Sequence, residues 1–189
     1  GVAVLPFDVP LEEIHRLHAL GVRGVRCNIV DLQTGKGKLP IDNLKQLANK
    51  IKKLDWHIDF LMNVNEIADI DLQLQTLDIP LVFGHLGYVP TQIEQTDGFE
   101  AMIRMAKKGL AWIKLTAPYR LTTQAYPYPS VNDAAHRLLA EVPQCLMWGS
   151  DWPHVFIKSA MPNDGDLYNL FLDWVKDEAL LQTILVDNP

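Results

Sequence analysis

Cysteine is scarce: Cys27 and Cys145 are the only two in 189 residues, and each lies inside an apolar run. A disulfide framework is not expected; two buried free thiols are, which suits a reducing, cytoplasmic setting. Long hydrophobic runs are missing too. No stretch approaches the roughly 18 apolar residues that a membrane span needs, and no signal-peptide pattern opens the chain. Positive charge is in deficit, with 17 Lys and Arg against 23 Asp and Glu and a formal net charge of −6. A nucleic-acid partner would leave a basic face, and none is visible. The Lys-rich stretch from Lys45 to Lys53 lies on a helical pattern and reads as a solvated face. No Gly-x-Gly-x-x-Gly follows an early strand, which argues against a Rossmann-type nucleotide domain.

What is present is a chain 48% hydrophobic and 21% charged, enough apolar material for one core and one domain over residues 1–189. Strand-like and helix-like segments alternate along it. Val2 to Leu5 is apolar. Leu11, Ile14 and Leu17 then recur at helical spacing until Gly21. Gly24 to Val30 is the next strand, and Leu44, Leu47, Ile51 and Leu54 share one face of a helix. Further strands are expected at Ile58 to Met62, Leu81 to Gly87 with a turn before Pro90, Ala111 to Thr116, and Cys145 to Asp151. Helices are expected at Ile67 to Leu77, Phe99 to Lys108, Val131 to Glu141 and Leu167 to Leu185. About six βα repeats in series imply a parallel sheet covered by helices.

Parallel strands are buried on both faces, so polar residues inside them carry information. Alternation puts Arg26 and Asn28 on one face of their strand, and Lys114 and Thr116 on one face of theirs. His85 and Asp151 fall at the C-terminal ends of two other strands. Four strands thus bring polar groups to one end, where barrel enzymes build their active sites. His57 and Asp59 also share a strand face but stay outside the favoured site. His15 and His18, three residues apart, read as a solvated helix face.

The run Trp148-Gly149-Ser150-Asp151-Trp152-Pro153-His154, with Phe83-Gly84-His85-Leu86-Gly87, resembles the amidohydrolase superfamily. Within that superfamily the chain is most similar to the branch of dicarboxylate-lactone hydrolases such as 2-pyrone-4,6-dicarboxylate lactonase. The segments Gly21 to Arg26, Lys114 to Leu121 and Val186 to Pro189 extend the resemblance along the chain. It implies a distorted (β/α)8 TIM barrel of the α/β class. It implies that Asp151 is the general base that activates water and that His85 is an electrophilic or hydrogen-bonding partner. Arg26 and Arg120 would hold substrate carboxylates, and Lys114, Tyr119 and His154 would complete the pocket; Asn28, on the same strand face as Arg26, is a further candidate for substrate binding. In metal-bearing relatives His85 and Asp151 would ligate a divalent ion, zinc or manganese; the lactonase branch needs none.

One departure stands out. The family opens with a His-x-His pair on its first barrel strand, and this sequence has no His-x-His. A whole barrel takes about 250 residues, so the first two βα units, roughly 70 residues in those proportions, are expected to lie upstream of Gly1. The expected activity is opening of a lactone in a small carboxylated substrate. Lactone isomerisation or metal-dependent decarboxylation on the same barrel, and a non-catalytic remnant, are the alternatives.

Overall fold

A computed structural model describes residues 1–30, 38–67, 69–89, 97–157 and 160–189. Ala68 and Pro90, which the sequence reading placed in a helix and beside a turn, lie outside the described residues.

Six strands form one parallel sheet in the order in which they occur along the chain. They are β1 (Val2–Val4), β2 (Gly24–Asn28), β3 (His57–Leu61), β4 (Leu81–Phe83), β5 (Ala111–Leu115) and β6 (Leu146–Trp148). Between them run α1 (Leu11–Ala19), α2 (Ile41–Ile51), α3 (Ile70–Leu74), α4 (Asp97–Lys107) and α5 (Asn132–Glu141), with α6 (Asp164–Trp174) and α7 (Glu178–Gln182) after β6. A doubly wound sheet reverses strand order at a switch point. Strict sequential order, with a helix in every crossover, is instead the arrangement of a (β/α) barrel wall.

Local chemistry accounts for the elements. Helix α1 carries Glu12 and Glu13 in its first turn and Arg16 and His18 in its last, matching both ends of the helix dipole. It stops before Gly21, whose φ of 91° suits glycine. Helix α2 buries Leu44, Leu47, Ala48 and Ile51, the stripe expected from spacing. His18, expected on a solvated face, instead accepts a hydrogen bond at Nδ1 from the Trp56 indole at 2.9 Å.

The sheet has two unlike faces. Val25, Cys27, Ile58, Phe60, Leu81, Phe83, Ile113 and Leu115 alternate onto the face beneath the helices and are buried in the main core. The register places Arg26 beside Asp59, Asp59 beside Val82, and Val82 beside Trp112, so the opposite, inner face carries the charged residues.

Two expectations need correction. The long C-terminal helix is broken at Val175 (φ −117°, ψ 104°), and Asp177 caps a new helix by accepting from Leu180 N at 2.8 Å. Both β4 and β6 end earlier than expected. His85 lies two residues beyond β4 and Asp151 three beyond β6, because the backbone leaves the sheet there.

Candidate active site

The turns that follow β4, β5 and β6 hold residues in the left-handed region: His85 (φ 52°), Ala117 (53°), Asp151 (67°) and His154 (56°). Such conformations cost on the order of 1–3 kcal/mol for a side chain with a Cβ, and they persist where surrounding contacts over-determine them. The contacts here are polar and converge on Asp151.

Tyr119 and Arg120 sit in the short helical turn Pro118–Arg120 after β5. The Tyr119 hydroxyl donates to Asp151 Oδ2 at 2.7 Å, and Arg120 Nε donates to the same oxygen at 2.8 Å. Oδ1 lies 3.7 Å from His85 Nε2. That is beyond direct hydrogen-bond reach and is a separation at which one water can touch both groups. Arg120 Nη2 also donates to the Val155 carbonyl at 2.9 Å. Arg120, expected as a substrate anchor, therefore spends two of its donors fixing the turn that carries Asp151.

Thr116 orders His85. Its Oγ1 accepts the His85 backbone N–H at 3.2 Å and lies 2.7 Å from His85 Nδ1. With the hydroxyl proton given to Nδ1, the imidazole proton sits on Nε2 and faces Asp151; this tautomer is assigned from the network. Burial lowers the His85 pKa to about 4; Asp151 pulls it upward, while Arg120 and Arg26 push it down. His85 is thus a neutral hydrogen-bond donor near pH 7. Burial and the bond to Asp151 raise the Tyr119 pKa, so its hydroxyl keeps its proton.

His154 closes the cluster. Its Nδ1 is 2.8 Å from the Tyr119 hydroxyl, and its Nε2 is 3.0 Å from Asp164 Oδ1. Two cavities flank this group. One of about 600 Å³ is lined by Tyr119, Tyr126, Tyr128, Met161 and Pro162 among others. The other, of about 300 Å³, is lined by Asn63, Glu66, Tyr88 and Arg120 among others. Tyr119 lines the first and Arg120 the second, and both hold Asp151.

A second cluster lies deeper on the inner face. Lys114 Nζ donates to Asp59 Oδ2, and Arg26 Nη2 is 3.2 Å from Asp59 Oδ1. Asn28 is exposed at the end of β2, on the same face as Arg26. Arg26 and Asp59 both act on His85 electrostatically, so the two clusters share one region. His57 lies against Gly24, where a Cβ would meet its ring at 2.5 Å. Burial lowers the His57 pKa, with Lys114 acting in the same direction and Asp59 opposing.

Sequence reasoning left Asp59 as a possible inner-site group outside the favoured set and passed over Asp164. The signal for Asp59 was available, since it alternates with His57 on a strand that should be apolar. Asp164 had none: it opens α6 in the acidic run Asn163-Asp164-Gly165-Asp166, which reads as a helix start.

A divalent ion would find two donors here, His85 and Asp151. No group of three or more His, Cys, Asp or Glu able to hold a metal occurs among the described residues. Zinc sites draw on three or four protein ligands, and Arg120 already holds Asp151 Oδ2. Among the described residues these two donors alone fall short of such a site. No described helix is long and apolar enough to cross a membrane.

Comparison with known proteins agrees with this geometry. The sequence matches the amidohydrolase family over residues 1–189. It is 35% identical over 181 residues to a 4-sulfomuconolactone hydrolase of Rhizobium radiobacter, covering 94% of this chain and 60% of that protein. It is 30% identical over 199 residues to a 2-pyrone-4,6-dicarboxylate hydrolase of Comamonas testosteroni, covering 100% of this chain and 65% of that one. Among solved structures, a probable 2-pyrone-4,6-dicarboxylic acid hydrolase from Acinetobacter baumannii with citric acid bound superposes with a TM-score of 0.83 at 26% identity. That match covers 100% of this chain and 70% of that chain. The chain thus spans under two thirds of the length of these curated relatives. On the family match, the sequential parallel sheet and the strand-end cluster, the chain belongs to the amidohydrolase family.

Proposed function

We propose that the protein hydrolyses the lactone of a small carboxylated substrate, with Asp151 as the base that activates water. The observation that carries this reading is the convergence of Tyr119 and Arg120 on Asp151 Oδ2 while Oδ1 faces a neutral His85 3.7 Å away. A water between Oδ1 and Nε2 gives its proton to the carboxylate as its oxygen bonds to the lactone carbonyl carbon. His85 Nε2–H donates to the carbonyl oxygen as negative charge grows there. The ring C–O bond then breaks, and the proton held by Asp151 passes to the leaving ring oxygen, giving a hydroxy acid.

Arg26 and Lys114 anchor the substrate's acid group, with Asn28, two residues beyond Arg26 on β2, and His154, beside Tyr119, as further substrate contacts. Arginine offers a planar, permanently charged fork for a carboxylate. The lactone-hydrolase relatives and the citric acid in the Acinetobacter neighbour support an acidic substrate. Two buried thiols support a cytoplasmic setting.

The test is turnover of carboxylated lactones by the full natural protein, with the product identified. Asp151→Asn is expected to lower kcat by about 10²–10⁴-fold, the usual contribution of a general base, with an unchanged thermal melt. Treatment with a chelator is expected to leave the wild-type rate as it was. Full activity in D151N would remove Asp151 from the mechanism. A product that is still a lactone would replace hydrolysis by isomerisation.

A further inference from the structure

The proton transfers above leave one buried carboxylate unused. Asp59 is 0% exposed and stands between two cations. Its two contacts are unequal. Lys114 Nζ makes a hydrogen bond to Oδ2. Arg26 Nη2 lies at ion-pair distance, 3.2 Å from Oδ1, yet Oδ1 accepts no hydrogen bond among the described residues. The sheet explains this arrangement. Arg26 is the direct neighbour of Asp59 across β2 and β3, while Lys114 reaches it from β5 across β4, where Val82 is the residue beside Asp59.

We infer that Asp59 is a positioning residue that joins Arg26 and Lys114 into one seat, and that the seat takes a single monoanionic acid group, carboxylate or sulfonate. This rests on the reading of Arg26 and Lys114 as substrate anchors. Without Asp59 the two cations would repel each other across the sheet. With it, Lys114 is held by a charge-assisted hydrogen bond. Arg26, with 33% of its side chain exposed, makes no hydrogen bond to Oδ1 that an incoming acid would have to break. Two cations against one carboxylate leave one unit of positive charge, and neither cation is deeply buried. One singly charged acid neutralises the seat; a dianionic phosphonate would exceed it. Removing either cation leaves a neutral pair, so the two cations work as a unit and not as independent anchors.

The experiment is calorimetric titration of the full natural protein with malonate, sulfoacetate and phosphonoacetate, which share a carboxylate and differ in the second acid group. Saturable binding of malonate or sulfoacetate is expected, with phosphonoacetate no tighter than either; the tighter of the first two identifies the acid the seat prefers. Asp59→Asn is expected to weaken binding at least tenfold. Should that variant fail to fold, Arg26→Met and Lys114→Met carry the test, because each leaves Asp59 paired. Each single variant is expected to lose tenfold or more, and the triple variant that also carries Asp59→Asn, which leaves no unpaired buried acid, to bind no more weakly than the weaker single. Independent, multiplying losses in the triple variant, wild-type affinity in D59N, or tighter phosphonoacetate binding would overturn the seat. Absent lactone turnover in a protein that binds in the expected pattern would overturn the hydrolase reading and leave the seat standing.

Discussion

Burial holds the His85 imidazole uncharged down to about pH 4, whereas the same side chain in an unfolded chain takes up its proton near 6.5. Between those values the unfolded state binds more protons than the folded one, so stability falls as pH is lowered through this window. The full difference corresponds to roughly 3 kcal/mol at and below pH 4 and vanishes above about pH 7. His57, whose pKa is also lowered by burial, contributes with the same sign. His85→Gln should therefore flatten, without abolishing, the acid side of a stability–pH curve measured by urea unfolding. An unchanged slope in that variant would mean that His85 is not held neutral. In the proposed mechanism the same neutrality suits it to donate to a developing oxyanion and makes it a poor competitor for the proton that Asp151 would take.

At the scale of elements, the strands are placed by their side-chain alternation, and that much was legible in the sequence. Arg26 and Lys114 fall on the inner face as their strand patterns require, while Cys27 and Ile113 fall on the helix-covered face. The loops were not legible. His85 and Asp151 read as strand ends, but the backbone turns out of the sheet before them into left-handed conformations. Asp and His enter the left-handed region more readily than most residues, but that preference is too weak to mark a turn by itself. Asp59 shows no partner in the sequence; strand register and side-chain contacts supply Arg26 and Lys114. Contacts between elements are equally silent in sequence, and Gly98 illustrates this. It lies in the first turn of α4, where a Cβ would stand 2.1 Å from the Val64 backbone oxygen. Asn65, the residue after Val64, accepts at Oδ1 from Phe99 N at 3.2 Å. Backbone cannot yield as a side-chain tip can, so Gly98→Ala should destabilise the fold by about 1–3 kcal/mol through overpacking. Chemical denaturation would read this as a lower midpoint. A midpoint equal to wild type would mean that α4 does not sit against Val64 this closely.

For the molecule as a whole, net charge and local charge oppose each other. The chain carries −6, yet Arg26 and Lys114 on the inner face outnumber Asp59. On the proposed reading, an acidic substrate would be repelled at long range and attracted at contact, and salt separates the two effects. The repulsion comes largely from exposed charges and acts over the Debye length, about 30 Å at 0.01 M and about 10 Å at 0.1 M. The attraction acts over a few ångströms between partly buried groups, which salt screens much less. Raising ionic strength from 0.01 to 0.1 M should thus remove repulsion first and lower KM for a doubly charged lactone by about two- to threefold. An uncharged ester of the same lactone should show no such change. A KM that rises over this range would mean that long-range attraction dominates, and the anchoring cations would then act mainly by steering the substrate in from solution.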